Sequence, residues 1–316
     1  MVDMSHRRFA LPVLPLLAST LLAAMFIAVP VTAEEPLPPT MGELLASSSA
    51  DDWRELDADN TLYLELDAGR VIIELAPDFA PAHVENLRTL AREHFWDGLA
   101  IYRSHDNFVV QWGDPAEGDA RRSLGNARES LPAEFERNAS GLDFLDFHRL
   151  PDADGWAPEV GFAAGFPAAR DPATGKAWLA HCYGMVGAGR GAEPDSSIGT
   201  ELYAVTGQSP RQLDRNITVV GRVVDGIELL SPMPRGSGPL GFYEDPAQRT
   251  PIRTVRLASD VPESGRTPLQ LLRTDTPLFD AVVESRRNRR DGWYLHPAGH
   301  IDLCNVPLPT RLAGEG

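Results

Sequence analysis

The sequence predicts a mainly β domain, an antiparallel barrel or sandwich. Short runs that alternate apolar and polar residues recur between Thr61 and Leu257, each bounded by turn residues. Only two helical patterns interrupt them, and strands do not alternate with helices as a βαβ fold requires. No internal repeat stands out.

Each element has its own signal. Thr61 to Asp67 sets Leu62, Leu64 and Leu66 against Tyr63 and Glu65, and after the Ala68-Gly69 turn the run Arg70 to Leu75 returns as the second arm of a hairpin. Pro77 to Pro81 opens a helix whose Val84, Leu87, Leu90 and Ala91 recur at helical spacing. Trp96-Asp97-Gly98 is a turn. Leu99 to Arg103 and Asn107 to Gln111 are short strands, the second ended by Gly113-Asp114-Pro115. From Ala116 to about Lys176 the sequence reads as loop with scattered aromatics, among them Phe144, Phe147, Trp156 and Phe162. Trp178 to Ala188, Glu201 to Val205 and the β-branched Ile217 to Val224 are further strands. Gly226 to Leu230 is a short helix, and Ile252 to Leu257 closes the β pattern. The remainder, to Gly316, holds one expected helix, Leu278 to Arg290, with its basic residues at the end that the helix dipole favours.

The chain has 316 residues, 43% hydrophobic and 23% charged, an ordinary globular mixture able to bury a core. Its formal net charge of -16 argues against nucleic acid or an anionic membrane surface as a partner. Arg7-Arg8, the apolar run Phe9 to Val29 and Val31-Thr32-Ala33 have the layout of a secretory signal, with cleavage expected after Ala33. The other reading is a retained anchor, which Pro12, Pro15 and Pro30 oppose. Export, into a periplasm-like compartment, is the expectation. Residues 34–59 then read as a linker, 60–259 as the domain with an inserted excursion at about 116–177, and 260–316 as a C-terminal extension. Two cysteines, Cys182 and Cys304, are too few for a disulfide framework or a four-thiolate zinc site. In an oxidising compartment they could pair; otherwise Cys182 is a buried strand residue and Cys304 stays unpaired. His105, Asp106 and Asp114 lack metal-ligand spacing, so neither metal nor cofactor is expected.

The stretch Trp96-Asp97-Gly98-Leu99-Ala100-Ile101-Tyr102-Arg103, followed by Asn107-Phe108-Val109-Val110-Gln111-Trp112-Gly113-Asp114-Pro115, resembles the cyclophilins, which are peptidyl-prolyl isomerases. That family writes an Asp-Gly, a Phe-His-Arg step and Phe-x-x-Gln-Gly-Gly-Asp. Ala80-Pro81 with Val84-Glu85-Asn86-Leu87, Glu134-Phe135, and Val219 to Gly226 match further pieces in order. Coverage runs from about Asn60 to Ser259. The resemblance implies a closed eight-stranded antiparallel barrel capped by two helices, with its groove on the outer face because side chains fill so small an interior.

The resemblance also implies which residues work. Rotation about a prolyl bond is opposed by a barrier of about 18–20 kcal/mol, and lowering it means favouring the twisted amide. That needs a fixed donor beside the bond and an apolar slot for the ring, but no nucleophile, metal or proton acid. Arg103 matches the family's arginine, the donor to the prolyl carbonyl. Gln111 holds the peptide backbone or orients Arg103. Phe108, Val109, Tyr203 and Leu213, with Val186 and Gly187 beyond them, are the expected substrate-binding walls. The chain departs from the family's pattern at Tyr102, Trp112, Gly187, Glu201-Leu202-Tyr203, Gln212 and Ile217. The expected activity is isomerisation of proline-containing segments of unfolded or folding exported proteins. Altered residues on the far wall leave a second reading, a catalytically weak peptide- or protein-binding module. An unrelated hydrolase is disfavoured, since no activated nucleophile is evident.

Overall fold

A computed structural model describes residues 38–116, 120–139, 146–290 and 293–314. The expected signal segment and Phe144 lie outside the described residues. In chain order the first elements are α1 (Met41–Ala46), β1 (Trp53–Glu55), β2 (Thr61–Leu66), β3 (Gly69–Leu75), α2 (Pro81–Arg92), β4 (Ala100–Ser104) and β5 (Val109–Gly113). The excursion contributes β6 (Arg137–Asn138), β7 (His148–Arg149), β8 (Glu159–Ala163), β9 (Phe166–Asp171) and β10 (Lys176–Leu179). Then follow β11 (Met185–Ala188), β12 (Glu201–Val205), β13 (Val219–Asp225), α3 (Ile227–Leu230), β14 (Thr250–Leu257), β15 (Leu269–Leu272), α4 (Pro277–Arg287) and β16 (Thr310–Leu312).

Eight strands close into an antiparallel barrel in the order β11-β12-β5-β4-β14-β2-β3-β13. Period-two alternation sorts their side chains. Leu62, Leu64, Val71, Ile73, Ile101, Val110, Trp112, Val186, Leu202, Ala204 and Val220 belong to one buried cluster inside, joined by Val84, Leu87 and Leu90 of α2 and Leu230 of α3. The two helices thus cap the barrel as the sequence implied.

Glu134 explains one matched motif. The residue before α2, Ala80, offers no side-chain cap. Instead the Glu134 carboxylate, from the far side of a long connection, accepts from the backbone N–H of Ala82 at 3.0 Å and of His83 at 2.9 Å, and from His83 Nδ1 at 2.7 Å. It satisfies two of the helix's unpaired N–H groups and sits at the positive end of its dipole. Burial would raise this carboxyl, yet His83 and the two N–H groups together hold it below its usual value.

Three expectations are corrected. The excursion is not loop: β6 to β10 form a five-stranded sheet of order β6-β10-β9-β8-β7, whose short strands and small residues (Ala163, Ala168, Ala169, Ala177) gave little periodicity to read. Phe162 packs edge-on against Phe279 of α4 at 5.0 Å, whereas Trp156 stays exposed. The run from Trp178 to Ala188 is two strands in two sheets. A turn through buried Cys182, exposed Tyr183 and buried Gly184 separates them, with Cys182 N–H donating to Ala180 and Met185 N–H to Cys182, and its apolar residues conceal the break. The segment expected as a linker carries α1, capped by Thr40 and Glu43, and β1, which pairs with β15 in a three-stranded sheet completed by β16. Those pairings are between residues at opposite ends of the chain and leave no local signature.

The extension therefore packs onto the barrel. Tyr63, on the outer face of β2, is buried with Ile72, Ala258 and Leu269, and its hydroxyl accepts from Thr267 N–H. Glu74 on β3 is buried between Arg222 of β13 at 3.2 Å and Arg54 of β1 at 2.6 Å. Burial lowers the Arg222 guanidinium, which the Glu74 charge opposes. Cys182 and Cys304 are bonded, with Cα atoms 4.9 Å apart and 122 positions apart in sequence. The pairing left open by the sequence is thus made. It joins the extension to the turn that leads into β11.

Two predictions follow from these ties. Replacing both cysteines by serine, or adding reductant, is expected to lower stability by about 2–4 kcal/mol, read as the shift of the denaturation midpoint. Glu134→Gln is expected to cost about 1–2 kcal/mol at neutral pH. A carboxyl held below its usual value stabilises the fold fully above the ordinary carboxylate range and ceases to as pH falls through its lowered value. Wild type and variant should therefore converge on acidification, and a constant gap would refute the assignment.

Candidate functional site

The site is assembled on the outer faces of β4, β5, β11 and β12. Register across β4 and β5 pairs Ile101 with Trp112 and Arg103 with Gln111, so Tyr102 is the extra residue of a β-bulge. The bulge re-aims the strand: Ile101 enters the core, while Tyr102 and Arg103 both lie against the outer-face ring of Phe242.

Arg103 is half-buried and makes three hydrogen bonds. Nε donates to the Leu240 carbonyl at 2.7 Å, Nη1 to Gln111 Oε1 at 2.8 Å and Nη2 to His105 Nδ1 at 3.2 Å. A guanidinium carries about five N–H donors, so two remain for a ligand. Its carbon lies 5.8 Å from the Phe108 ring centroid and 5.2 Å from that of Phe242. Among the described residues no carboxylate lies within ion-pair distance of it. Burial lowers its pKa, opposed by the surrounding Tyr102, Glu201 and Tyr203. Gln111, its partner, has its amide orientation defined at both ends, since Nε2 donates to Glu201 Oε2 at 3.4 Å. Burial, with the Asp114 charge added, raises the Glu201 carboxyl.

Beside Arg103 lies the apolar slot. Val109, Tyr203 and Val205 form a buried cluster on the outer face, with Phe108 and Ile217 packed against it. Tyr203 crosses from β12 over its register partner on β11, Gly187. A Cβ at Gly187 would stand 2.2 Å from the Tyr203 ring, so two departures from the family's pattern are a single steric change. The tyrosine hydroxyl is anchored below. It is hydrogen-bonded to His181 Nε2 at 3.0 Å, and His181 Nδ1 donates to the Asp214 carboxylate at 3.0 Å. Arg211 then joins Asp214 at 2.6 Å to Asp154 of the excursion at 3.1 Å. All five side chains are buried. Burial would raise the Asp214 carboxyl, but His181 and Arg211 outweigh it and the carboxyl is lowered. Burial raises the Tyr203 hydroxyl well above its ordinary value.

Of the residues expected from sequence, Arg103, Phe108, Val109, Gln111, Gly187 and Tyr203 come together. Val186 does not: it is fully buried in the barrel interior, because it alternates with Gly187 along β11. Leu213, half-buried in the turn Arg211–Leu213, is not a member of the Val109–Tyr203 cluster. The three residues weighed as a metal set are dispersed. His105 accepts from Arg103, Asp106 pairs with Arg235, and Asp114 accepts from Ala116 and Arg122 N–H. A cavity of about 430 Å³ beside the disulfide, lined by Tyr183, Arg222, Asp225 and Val306 among others, includes none of the groove residues.

Sequence reasoning passed over the segment Pro234 to Tyr243, which lies along β4. Gly236 N–H donates to Ser104, Tyr243 N–H to Tyr102, and Phe242 bridges Arg103. Tyr102 and Phe242 stack at 5.9 Å. Three glycines in this run were the available signal. Gly241, at φ +81 and with a Cβ that would stand 2.5 Å from His105, must be glycine for the segment to approach the strand.

Gly187→Ala is expected to displace the Tyr203 ring and cost about 1–3 kcal/mol by overpacking, read as a shift in denaturation midpoint. An unchanged midpoint would contradict the ring's placement over Gly187.

Comparison with known proteins places this arrangement. Residues 61–257 match the family described as cyclophilin type peptidyl-prolyl cis-trans isomerase/CLD. A probable peptidyl-prolyl cis-trans isomerase of Brucella suis biovar 1 is 27% identical over 227 residues, spanning 69% of this chain and 86% of the relative. The corresponding protein of Brucella abortus strain 2308 is 26% identical over the same length and shares. Among solved structures, a cyclophilin from Hirschia baltica superposes with a TM-score of 0.66 at 24% identity, covering 87% of this chain and 98% of that one, a likeness of fold.

Proposed function

The chain belongs to the cyclophilin-type peptidyl-prolyl cis-trans isomerase family, and from that premise we propose that it isomerises prolyl bonds by donating from Arg103 to the prolyl carbonyl. The observation that carries the reading is the guanidinium itself: three of its donors are engaged by Leu240, Gln111 and His105, and two are left for a ligand beside the apolar slot. Three fixed bonds mean that little reorganisation accompanies twisting of the bond. As the amide leaves planarity, its nitrogen gains a lone pair and the carbonyl loses resonance. A donor anchored on the neighbouring prolyl carbonyl and held rigidly beside that nitrogen can meet the lone pair, which neither planar state offers, and that difference is the condition for catalysis.

Phe108, Val109 and Tyr203 support the second half of the reading, a slot that holds the proline ring while the rest of the peptide turns. Gln111 acts as the strut that keeps Nη1 in place. Proline-containing segments of other polypeptides are the substrate class.

The apolar leader with its Ala33 cleavage pattern and the Cys182–Cys304 bond support export to an oxidising, periplasm-like compartment, since such bonds persist there and are rare in reducing ones. The clients are then exported proteins as they fold.

The test is magnetisation-exchange NMR on a short proline peptide with wild type, Arg103→Ala and Arg103→Lys. Wild type should accelerate exchange; Arg103→Ala should lose about 10²–10³-fold in kcat/KM, with an unchanged melting midpoint. Lysine should recover only part, lacking the planar fork that holds three partners at once. A wild-type rate equal to the spontaneous one would leave the binding-module reading alone.

A further inference from the structure

We propose that Leu240 and Phe242 form an apolar rim of the groove that selects the residue following proline, favouring large apolar side chains there. The proposal rests on the isomerase reading, which sets the direction of the bound peptide.

Leu240 is 63% exposed and Phe242 37%, and both stand at Arg103 rather than at random on the surface. The Leu240 backbone is at φ +57, a left-handed region that leucine disfavours because its Cβ crowds the following carbonyl. Its carbonyl holds Arg103 Nε, but glycine would supply that carbonyl without strain. Strain retained for an exposed leucine directs attention to its side chain.

Position supplies the occupant. The guanidinium is near both the Phe108 and the Phe242 ring, its carbon 5.8 and 5.2 Å from their centroids. With the proline ring against Phe108, Val109 and Tyr203 and the prolyl carbonyl on Arg103, the next Cα lies only about 3.8 Å from that of proline. That residue then passes the guanidinium, against which the Phe242 ring and the Leu240 backbone lie. A flexible loop would select poorly, but this one is fixed. Gly236 N–H donates to Ser104 at 2.9 Å, Gly238 N–H to Phe242 at 3.0 Å, Tyr243 N–H to Tyr102 at 3.0 Å, and the Tyr243 hydroxyl to Pro234 at 2.5 Å. The ordering of the rim is complete before the peptide arrives, so the contact is not offset by loop entropy.

The experiment uses the full chain and two peptides, Ala-Ala-Pro-Phe and Ala-Ala-Pro-Gly, with exchange rates and binding both read by NMR. Wild type should prefer the phenylalanine peptide by about fivefold or more in kcat/KM, as partial burial of one apolar side chain implies. Leu240→Asn tolerates the left-handed backbone and keeps the carbonyl; it should bring that ratio to within about twofold of unity. Leu240→Gly is the second variant, should the first not fold, with the same expectation. A wild-type ratio near one, a ratio unchanged in the variant, or an equal loss on both peptides would overturn the rim. If neither peptide is turned over, the isomerase reading fails by itself. Binding then decides: tighter binding of the phenylalanine peptide, lost in Leu240→Asn, supports the rim, and equal binding overturns it.

Discussion

Side chains fill the interior of this closed eight-stranded barrel, and that exclusion arranges the rest of the protein. Every second residue of the barrel strands is committed to the interior, where Leu64, Ile101, Val110, Trp112 and Val186 are essentially inaccessible. Polar chemistry is left to the other parity. Arg103, Gln111, Glu201 and Tyr203 all face outward, and strand pairing alone brings them within reach of one another. The substitution of Trp112 where the family has glycine is harmless on this account, because its parity points it into the core.

The outer surface is itself divided. The excursion and the C-terminal extension share a core through Phe162, Trp178, Phe279 and Leu303, and the disulfide fastens that assembly to β11. The segment Pro234 to Tyr243 takes the edge of β4 and supplies Arg103 with a carbonyl and a ring. The far wall is tied to the excursion by the buried path from Tyr203 through His181, Asp214 and Arg211 to Asp154. Isolated charges in such a place would be costly, so each is paired. The excursion thereby reaches the groove through hydrogen bonds.

Much of the site was legible because its residues are close in sequence. Arg103, Phe108, Val109 and Gln111 fall on two adjacent strands, and a motif conveys their spacing. Tyr203 was legible by resemblance, but its alliance with Gly187 was not, since a steric pair across two strands leaves no mark on either alone. The misplaced Val186 is a different failure: its parity could have been counted from Gly187. Leu240 and Phe242 were missed because a glycine-rich run announces a turn without saying what the turn lies against.

The sequence by itself determined a mainly β domain and its helices, through alternation and helical spacing, and the family with its capped closed barrel through the resemblance carried by ordered motifs, all of them signals that act over a few residues. Only the tertiary structure decided that the excursion is a sheet, that residues near Trp53 pair with those near Leu272, that the two cysteines meet, and that a loop backs Arg103. Those contacts join residues far apart in the chain, and their free energy depends on which surfaces the folded barrel presents, which no local pattern records.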